Sequence, residues 1–256
     1  MKKSGFDDVE LKGLHEVMGK YHWSQGKYVS RLLIDDVEAI HHFRKSENHV
    51  DADELARGVA IFYYSKSNFF AANRLVEEIV KRDDPPSPWW ALNKYGLCQQ
   101  MLGFLENTLD SYKRALPVAV SKEKKGTTLN NIGQIYHDRG NYEKALKYLE
   151  DSLLIRREIG DKSGMIPTLH NMASIAKNSD DLEKAINFWS EAFTIAMETK
   201  NAMGLFHVGK TLGSVLAEIG NKEEAIKLLT MAVNVGKQAG FPNVDKVEEE
   251  LKSITS

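Results

Sequence analysis

The second half of the chain repeats one pattern of apolar and polar positions with a period of 40 residues. Apolar residues recur there at steps of three and four, which predicts an apolar stripe along a helix. A first stripe, a break at Gly140-Asn141 and a second stripe follow one another, as expected for a helical hairpin. The period follows from two sets of matching positions: Ile132, Met172 and Leu212, and Ala145, Ala185 and Ala225.

Small residues stand where the two helices of a hairpin should meet. Gly133 lies in the first helix of one hairpin and Ala145 in its second helix. Larger side chains at both positions would hold the helix axes apart, so we expect a close approach there. Because neither helix can bury its apolar stripe alone, successive hairpins have to stack on one another.

The rest of the chain follows the same spacing less regularly. We expect one domain over residues 1–256, with degenerate repeats at 12–88, an irregular repeat at 89–125, three regular 40-residue repeats at 126–243 and a polar-faced capping helix at 244–256. In the first unit, Arg31 stands where a small residue belongs, which leaves open whether that unit is a true repeat. Pro117 should end or kink the second helix of the irregular repeat.

This pattern resembles the tetratricopeptide repeat, in which a large apolar residue, Leu-Gly, Tyr and Ala follow one another at set spacings. The matching residues are Leu129, Ile132-Gly133, Tyr136 and Ala145. The additional residues per unit are similar to those of kinesin-light-chain-like repeats and of peptide-receptor regulators in Gram-positive bacteria. The resemblance implies an all-α fold, a right-handed α-solenoid superhelix of about six helical hairpins with a C-terminal capping helix.

In such a solenoid the first helices of successive hairpins line a concave groove, and a partner binds there. The positions opposite the apolar stripe carry short, polar and amide-rich side chains. The candidate binding residues are Asn130, Asn131, Gln134, His137 and Asp138, then His170, Asn171, Ser174, Lys177 and Asn178, and finally His207, Lys210 and Thr211.

Two interpretations of these polar residues stay open. An asparagine amide both donates and accepts, so the side chains could pair with the backbone of an extended peptide whatever its sequence. Asn131 and Asn171 could instead only bridge neighbouring helices. Lys177 and Lys210 would suit an acidic side chain or a C-terminal carboxylate. The lysine and asparagine set that chaperone-binding members of the family use is not present.

Composition narrows the classes of function. The formal net charge of −2 gives no electrostatic argument for nucleic-acid binding, and no segment has the length and apolarity of a membrane span. Cys98 is the only cysteine, so no internal disulfide can form, and we expect a cytoplasmic protein. The histidine pairs His15 with His22 and His41 with His42 do not converge as metal ligands, so we expect no metal site and no cofactor.

The sequence therefore predicts a non-catalytic scaffold or adaptor that binds an extended segment or a helix of another protein in its groove. The alternative is a peptide-sensing regulatory receptor whose superhelix changes pitch when its ligand binds. A cluster of aromatic residues between Phe62 and Trp90 offers a second possible binding surface, although packing between repeats also explains it. The sequence does not indicate an oligomeric state.

Overall fold

The computed structural model describes residues 40–46, 49–81 and 87–255, and every regular element among them is an α-helix. Contacts between Cα atoms divide the chain into two compact units, and the boundary in the sequence lies between Val118 and Ala119. Each unit is a series of consecutively packed helical hairpins, which confirms the predicted all-α solenoid. The doubtful first repeat, with Arg31, lies outside the described residues. A single domain over residues 1–256 stays a prediction.

The first unit contains two hairpins in its described residues. Their helices are α1 (His49–Ser65), α2 (Phe69–Val80), α3 (Trp89–Met101) and α4 (Leu105–Ala115). Residues 40–45 are also helical, and Ile40 and Phe43 join a core that contains Val76, Ile79 and Ala115. The last helix ends at Ala115, two residues before Pro117, as the proline predicts.

The second unit contains three hairpins and a final helix. Its helices are α5 (Lys122–Asp138), α6 (Tyr142–Glu158), α7 (Lys162–Asn178), α8 (Leu182–Glu198), α9 (Ala202–Glu218), α10 (Lys222–Ala239) and α11 (Val244–Thr255). Helices α5 to α9 are each 17 residues long. The final helix begins at Val244, as predicted for the capping helix, and its Val244 and Val247 are buried.

Capping makes this second unit more regular than a 40-residue period requires. Helix N-caps recur every 20 residues, at Ser121, Asn141, Asp161, Asp181, Asn201 and Asn221, and the first five accept a hydrogen bond through their side chains from a backbone N–H three residues on. The residue before each of the last five caps has a left-handed backbone, including Asp180 (φ 60°) and Lys200 (φ 51°), which lack the freedom of glycine. Each helix therefore starts and stops at a fixed position.

The close approach within a hairpin is confirmed at Gly133. A Cβ atom there would lie 2.7 Å from Cγ of Leu149 and 3.2 Å from the carbonyl oxygen of Ala145, so only glycine fits without a shift. Gly213 is placed in the same way against Leu229 in the last hairpin. The buried stripes of α6 to α10 form one continuous core across the three repeats, and Tyr136 of α5 packs against it.

Candidate functional site

The first helices of the second unit make one continuous face. Helix α5 contacts α7, α7 contacts α9, and α9 contacts α11, whereas the second helices make fewer contacts with one another. The first helices therefore lie on the tighter side of the stack. We call the side of α5, α7 and α9 that carries the candidate binding residues the inner face.

A ladder of side-chain contacts links successive helices of the inner face. Asn171 Nδ2 donates to Asn130 Oδ1 at 3.2 Å, Asn178 Nδ2 lies 2.9 Å from His137 Nε2, and Lys177 Nζ lies 3.2 Å from Glu218 Oε2. Each pair joins residues 41 positions apart, one more than the repeat period. The ladder thus ties every first helix to the next one.

The ladder changes the expected role of several candidate residues. Asn130 was expected to present an open amide, but it is 7% exposed because it lies between helices and accepts from Asn171. Asn171 thus uses its amide nitrogen in a bridge between neighbouring helices. His137 also lies 3.4 Å from the carboxylate of the exposed Asp138, and Asn131 is half-buried next to Asn130.

His170 takes part in packing between the helices of its own hairpin. Its Nδ1 accepts a hydrogen bond of 3.2 Å from Nε1 of Trp189, whose side chain is almost fully buried. Burial, with the nearby His207 and Lys210, lowers the pKa of His170 to about 4. The imidazole is therefore neutral at physiological pH, and the proton lies on Nε2, because Nδ1 is the acceptor.

A central row of the inner face remains open. Gln134, Ser174 and Ser214 occupy equivalent positions, 40 residues apart, and all three are half-buried. The side-chain amide of Gln134 has no hydrogen-bond partner among the described residues. Ser174 Oγ and Ser214 Oγ each donate at 3.0 Å to a carbonyl of their own helix, four residues back, so each hydroxyl oxygen can still accept. Thr211 donates in the same way to the carbonyl of His207.

The two lysines expected on this face differ in their surroundings. The charge of Lys177 is balanced by Glu218, whereas the ammonium group of Lys210 has no ion pair or hydrogen bond among the described residues. Its positive charge contributes, after burial, to lowering the pKa of the neighbouring His207. His207 is exposed, and its ring packs beside Phe206 and Phe241 with centroids 5.0 and 6.3 Å away.

Lys210 lines a cavity of about 390 Å³ between α9 and the final helix. Its other lining residues are Ser214, Asn243, Lys246, Val247 and Glu250. The contribution of the final helix was not predicted from the sequence, because its pattern was interpreted only as that of a cap. A signal was available, since Glu250 stands 40 residues after Lys210 and continues the period of the inner face.

In the described part of the chain, neither the buried Cys98 thiol nor a group of histidines and carboxylates offers a reactive or metal-binding site. Burial raises the pKa of the Cys98 thiol to about 11, so the sulfur stays protonated at neutral pH. Over residues 40–46, 49–81 and 87–255, no group of three or more His, Cys, Asp and Glu side chains is placed to hold a metal ion. His15 and His22 lie outside that part of the chain. None of the described helices is both long enough and apolar enough to span a membrane.

The aromatic cluster of the first unit divides into a packed part and an exposed part. Trp89 and Trp90 are partly buried and pack against the core, as the packing explanation predicts. Phe62 and Phe70 remain 43% and 64% exposed. Lys94 Nζ lies 4.3 Å above the ring of Tyr64, and burial lowers the pKa of its ammonium group.

Comparison with known proteins identifies the repeat. The tetratricopeptide-repeat family model matches residues 90–158 and 124–198, which cover the irregular repeat and the first two regular ones. No curated protein matches the chain in sequence.

Solved structures of low sequence identity share the fold. A putative kinesin light chain of Podospora anserina with nearly identical repeats has a TM-score of 0.54 at 14% identity, covering 72% of this chain and 94% of that one. The Rap conjugation gene regulator of plasmid pLS20, solved with a Phr peptide, has a TM-score of 0.65 at 14% identity, covering 90% and 75%. A signal-transduction ATPase of Pyrococcus horikoshii with a tetratricopeptide-repeat sensor has a TM-score of 0.65 at 19% identity, covering 96% of this chain and 37% of that one.

Proposed function

Because residues 90–198 match the tetratricopeptide-repeat family model, we propose that the inner face of the second unit binds an extended segment of another protein, as a scaffold or adaptor does, without catalysing a reaction. The observation that carries this proposal is the open row of Gln134, Ser174 and Ser214. Rows of side chains on either side of it are engaged in the ladder between helices. The ladder holds the face rigid, so a peptide would not have to order it on binding.

The polar groups of the open row suit a peptide backbone. The amide of Gln134 can donate to a carbonyl and accept from an N–H, and the two serine oxygens can accept from N–H groups. Packed helices lie about 8–10 Å apart, and an extended chain advances about 3.3 Å per residue. About three residues of peptide would therefore pass each first helix, and α5, α7 and α9 together would contact roughly six to nine residues.

The fold comparison supports the same function. The Rap conjugation gene regulator is solved in complex with a Phr peptide, so a solenoid of this architecture can hold a peptide. The alternative function, a receptor that changes pitch when a peptide binds, uses the same inner face. The two functions are distinguished by whether the peptide alters the distance between hairpins.

Selection from a displayed library of random ten-residue peptides tests the proposal. We expect enriched sequences that bind the wild-type protein, and we expect the triple variant Gln134→Ala, Ser174→Ala, Ser214→Ala to bind them at least tenfold more weakly. Alanine is a strong helix former, so the variant keeps its helices. A matched control removes exposed polar side chains from second helices: Ser190→Ala, Thr194→Ala, Asn234→Ala.

The control should keep wild-type affinity for the enriched peptides. Binding that survives the inner-face triple variant unchanged, or a selection that yields no binding peptide, would contradict the proposal. Spin labels on α5 and α9, measured with and without an enriched peptide, separate the scaffold from the receptor. A constant distance favours a scaffold, and a changed distance favours the peptide-sensing receptor.

A further inference from the structure

The cavity between α9 and the final helix places two positive charges at one end of the inner face. Lys210 and Lys246 both line it, one from each helix. Neither ammonium group has a carboxylate partner within ion-pair distance in the described part of the chain. By contrast, Lys177 of the inner face pairs with Glu218, and Glu248 of the final helix pairs with Lys252 of the same helix and with Lys237 of α10.

The rest of the lining suits a small anionic group. Asn243 places a side-chain amide that can donate hydrogen bonds beside the two lysines, whereas the hydroxyl of Ser214 already donates to the carbonyl oxygen of Lys210. Glu250 is the one acidic group in the lining, so the two lysines leave the cavity with one excess positive charge. Val247 supplies the apolar part of the wall.

The cavity is continuous with the open row of the inner face. Ser214 belongs both to that row and to the cavity lining. A peptide that follows the row from Gln134 through Ser174 reaches Ser214 and then the two lysines. A carboxylate is the anionic group that a peptide carries, either at its C-terminus or on an aspartate or glutamate side chain.

We propose that Lys210 and Lys246 bind a carboxylate group of the peptide that the inner face holds, and so select acidic or C-terminal peptide segments. This inference rests on the proposed function and adds a chemical class of ligand to it. A hydrogen bond to a charged group is stronger than a neutral one, so the lysines would select among peptides that the polar row binds through their backbones. The carboxylate of Glu250 limits the cavity to one bound carboxylate, because it repels a second one.

Three synthetic pools of random octapeptides, applied to the immobilised wild-type protein and quantified by mass spectrometry, test the inference. The first pool has a free C-terminal carboxylate and no Asp or Glu. The second has an amidated C-terminus and contains Asp and Glu. The third is amidated and has no acidic residue. We expect the first or the second pool to be retained more strongly than the third, and the difference between those two pools identifies the source of the carboxylate.

Substitution of the lysines tests the same point on the protein side. The double variant Lys210→Met, Lys246→Met should lower retention of the preferred carboxylate pool by about tenfold and leave the third pool unchanged. Glu250→Gln should raise retention of that carboxylate pool. Lys222→Met, which removes an exposed lysine that has no ion pair among the described residues and lies at the start of α10, is the matched control and should change neither. Methionine keeps the length and helix propensity of lysine, and circular dichroism checks that each variant is folded.

The outcomes distinguish carboxylate selection by the two lysines from peptide binding by the inner face. Equal retention of all three pools, with no effect of the double lysine variant, overturns carboxylate selection and leaves peptide binding standing. Failure of the wild-type protein to retain any pool overturns both. Loss of the third pool in the lysine variant also overturns the inference, because the lysines would then act on every peptide and not on its carboxylate.

Discussion

The guanidinium group of Arg156 and the carboxylate of Asp161 lie 2.6 Å apart where the second helix of one hairpin meets the first helix of the next. Asp161 also caps α7 by accepting from Gly164 N at 2.9 Å. Arg156 Nε lies 3.3 Å from Ser152 Oγ, and its Nη2 lies 3.3 Å from Thr127 Oγ1. One buried arginine therefore joins α5, α6 and the start of α7.

We expect Arg156→Ala to lower the free energy of unfolding of the second unit by about 2–4 kcal/mol. Breaking a buried ion pair costs about 3–5 kcal/mol, and the cost is smaller here because the Asp161 side chain is 24% exposed. Urea unfolding followed by circular dichroism measures the change. Arg157→Ala is the matched control, because Arg157 pairs with Glu191 at the surface and such pairs contribute about 0–1 kcal/mol. Equal effects of the two substitutions would refute the role given to Arg156.

Gly133→Ala should destabilise the first regular hairpin although alanine favours helix. The new Cβ would meet Cγ of Leu149 at 2.7 Å, and overpacking of this kind costs about 1–3 kcal/mol. The gain in helix propensity, about 1 kcal/mol, offsets only part of that cost. Gly58→Ala is the control, since a Cβ there has nothing within 4 Å, and it should stabilise slightly. Thermal unfolding compares the two; a raised midpoint for Gly133→Ala would contradict the packing argument.

The hairpins could be predicted from the sequence because their signal is local. The steps of three and four between Leu129, Ile132 and Tyr136 fix which side of α5 faces the core, and Gly133 marks the close contact with α6. Both features depend on neighbours within one hairpin. The same pattern of apolar and small residues recurs 40 residues later in α7 and α8, so a mismatch at one position does not hide the repeat.

The contacts between hairpins could not be predicted in the same way. Asn171 reaches Asn130 with a shift of one residue beyond the period, and that shift depends on how adjacent helices are staggered. The contacts of Arg156 could not be found from the repeat, because the equivalent positions of the next two repeats hold Ala196 and Gly236 in place of an arginine. The contribution of Lys246 to the cavity was not predicted, because the final helix was interpreted only as a cap. Thus the sequence indicated candidate residues for the inner face, but it could not show which of their side chains are engaged between helices and which are open to a ligand.

Asn171→Ala should weaken the contact between the first two regular hairpins. It removes the donor to Asn130 Oδ1, and an unsatisfied buried acceptor costs about 1–3 kcal/mol. The measurement is the urea midpoint of the second unit, together with hydrogen exchange of α5 and α7. Asn234→Ala, an exposed asparagine on α10, is the control and should change stability by less than about 0.5 kcal/mol. An Asn171→Ala variant of wild-type stability that loses peptide binding would instead assign this side chain to the ligand.

The stability of the second unit should fall as the pH drops from about 6.5 to about 4, in part because of His170. Burial lowers the pKa of His170 to about 4, whereas in the unfolded chain it lies near 6.5. Between these values the unfolded state binds more protons than the folded state, so the free energy of unfolding rises with pH, by about 2–3 kcal/mol over the range. Unfolding by urea at a series of pH values measures the slope, and an NMR titration of the His170 ring assigns it. His170→Gln, which can still accept from Nε1 of Trp189, should remove this part of the slope. An unchanged slope in that variant would assign the pH dependence to other groups.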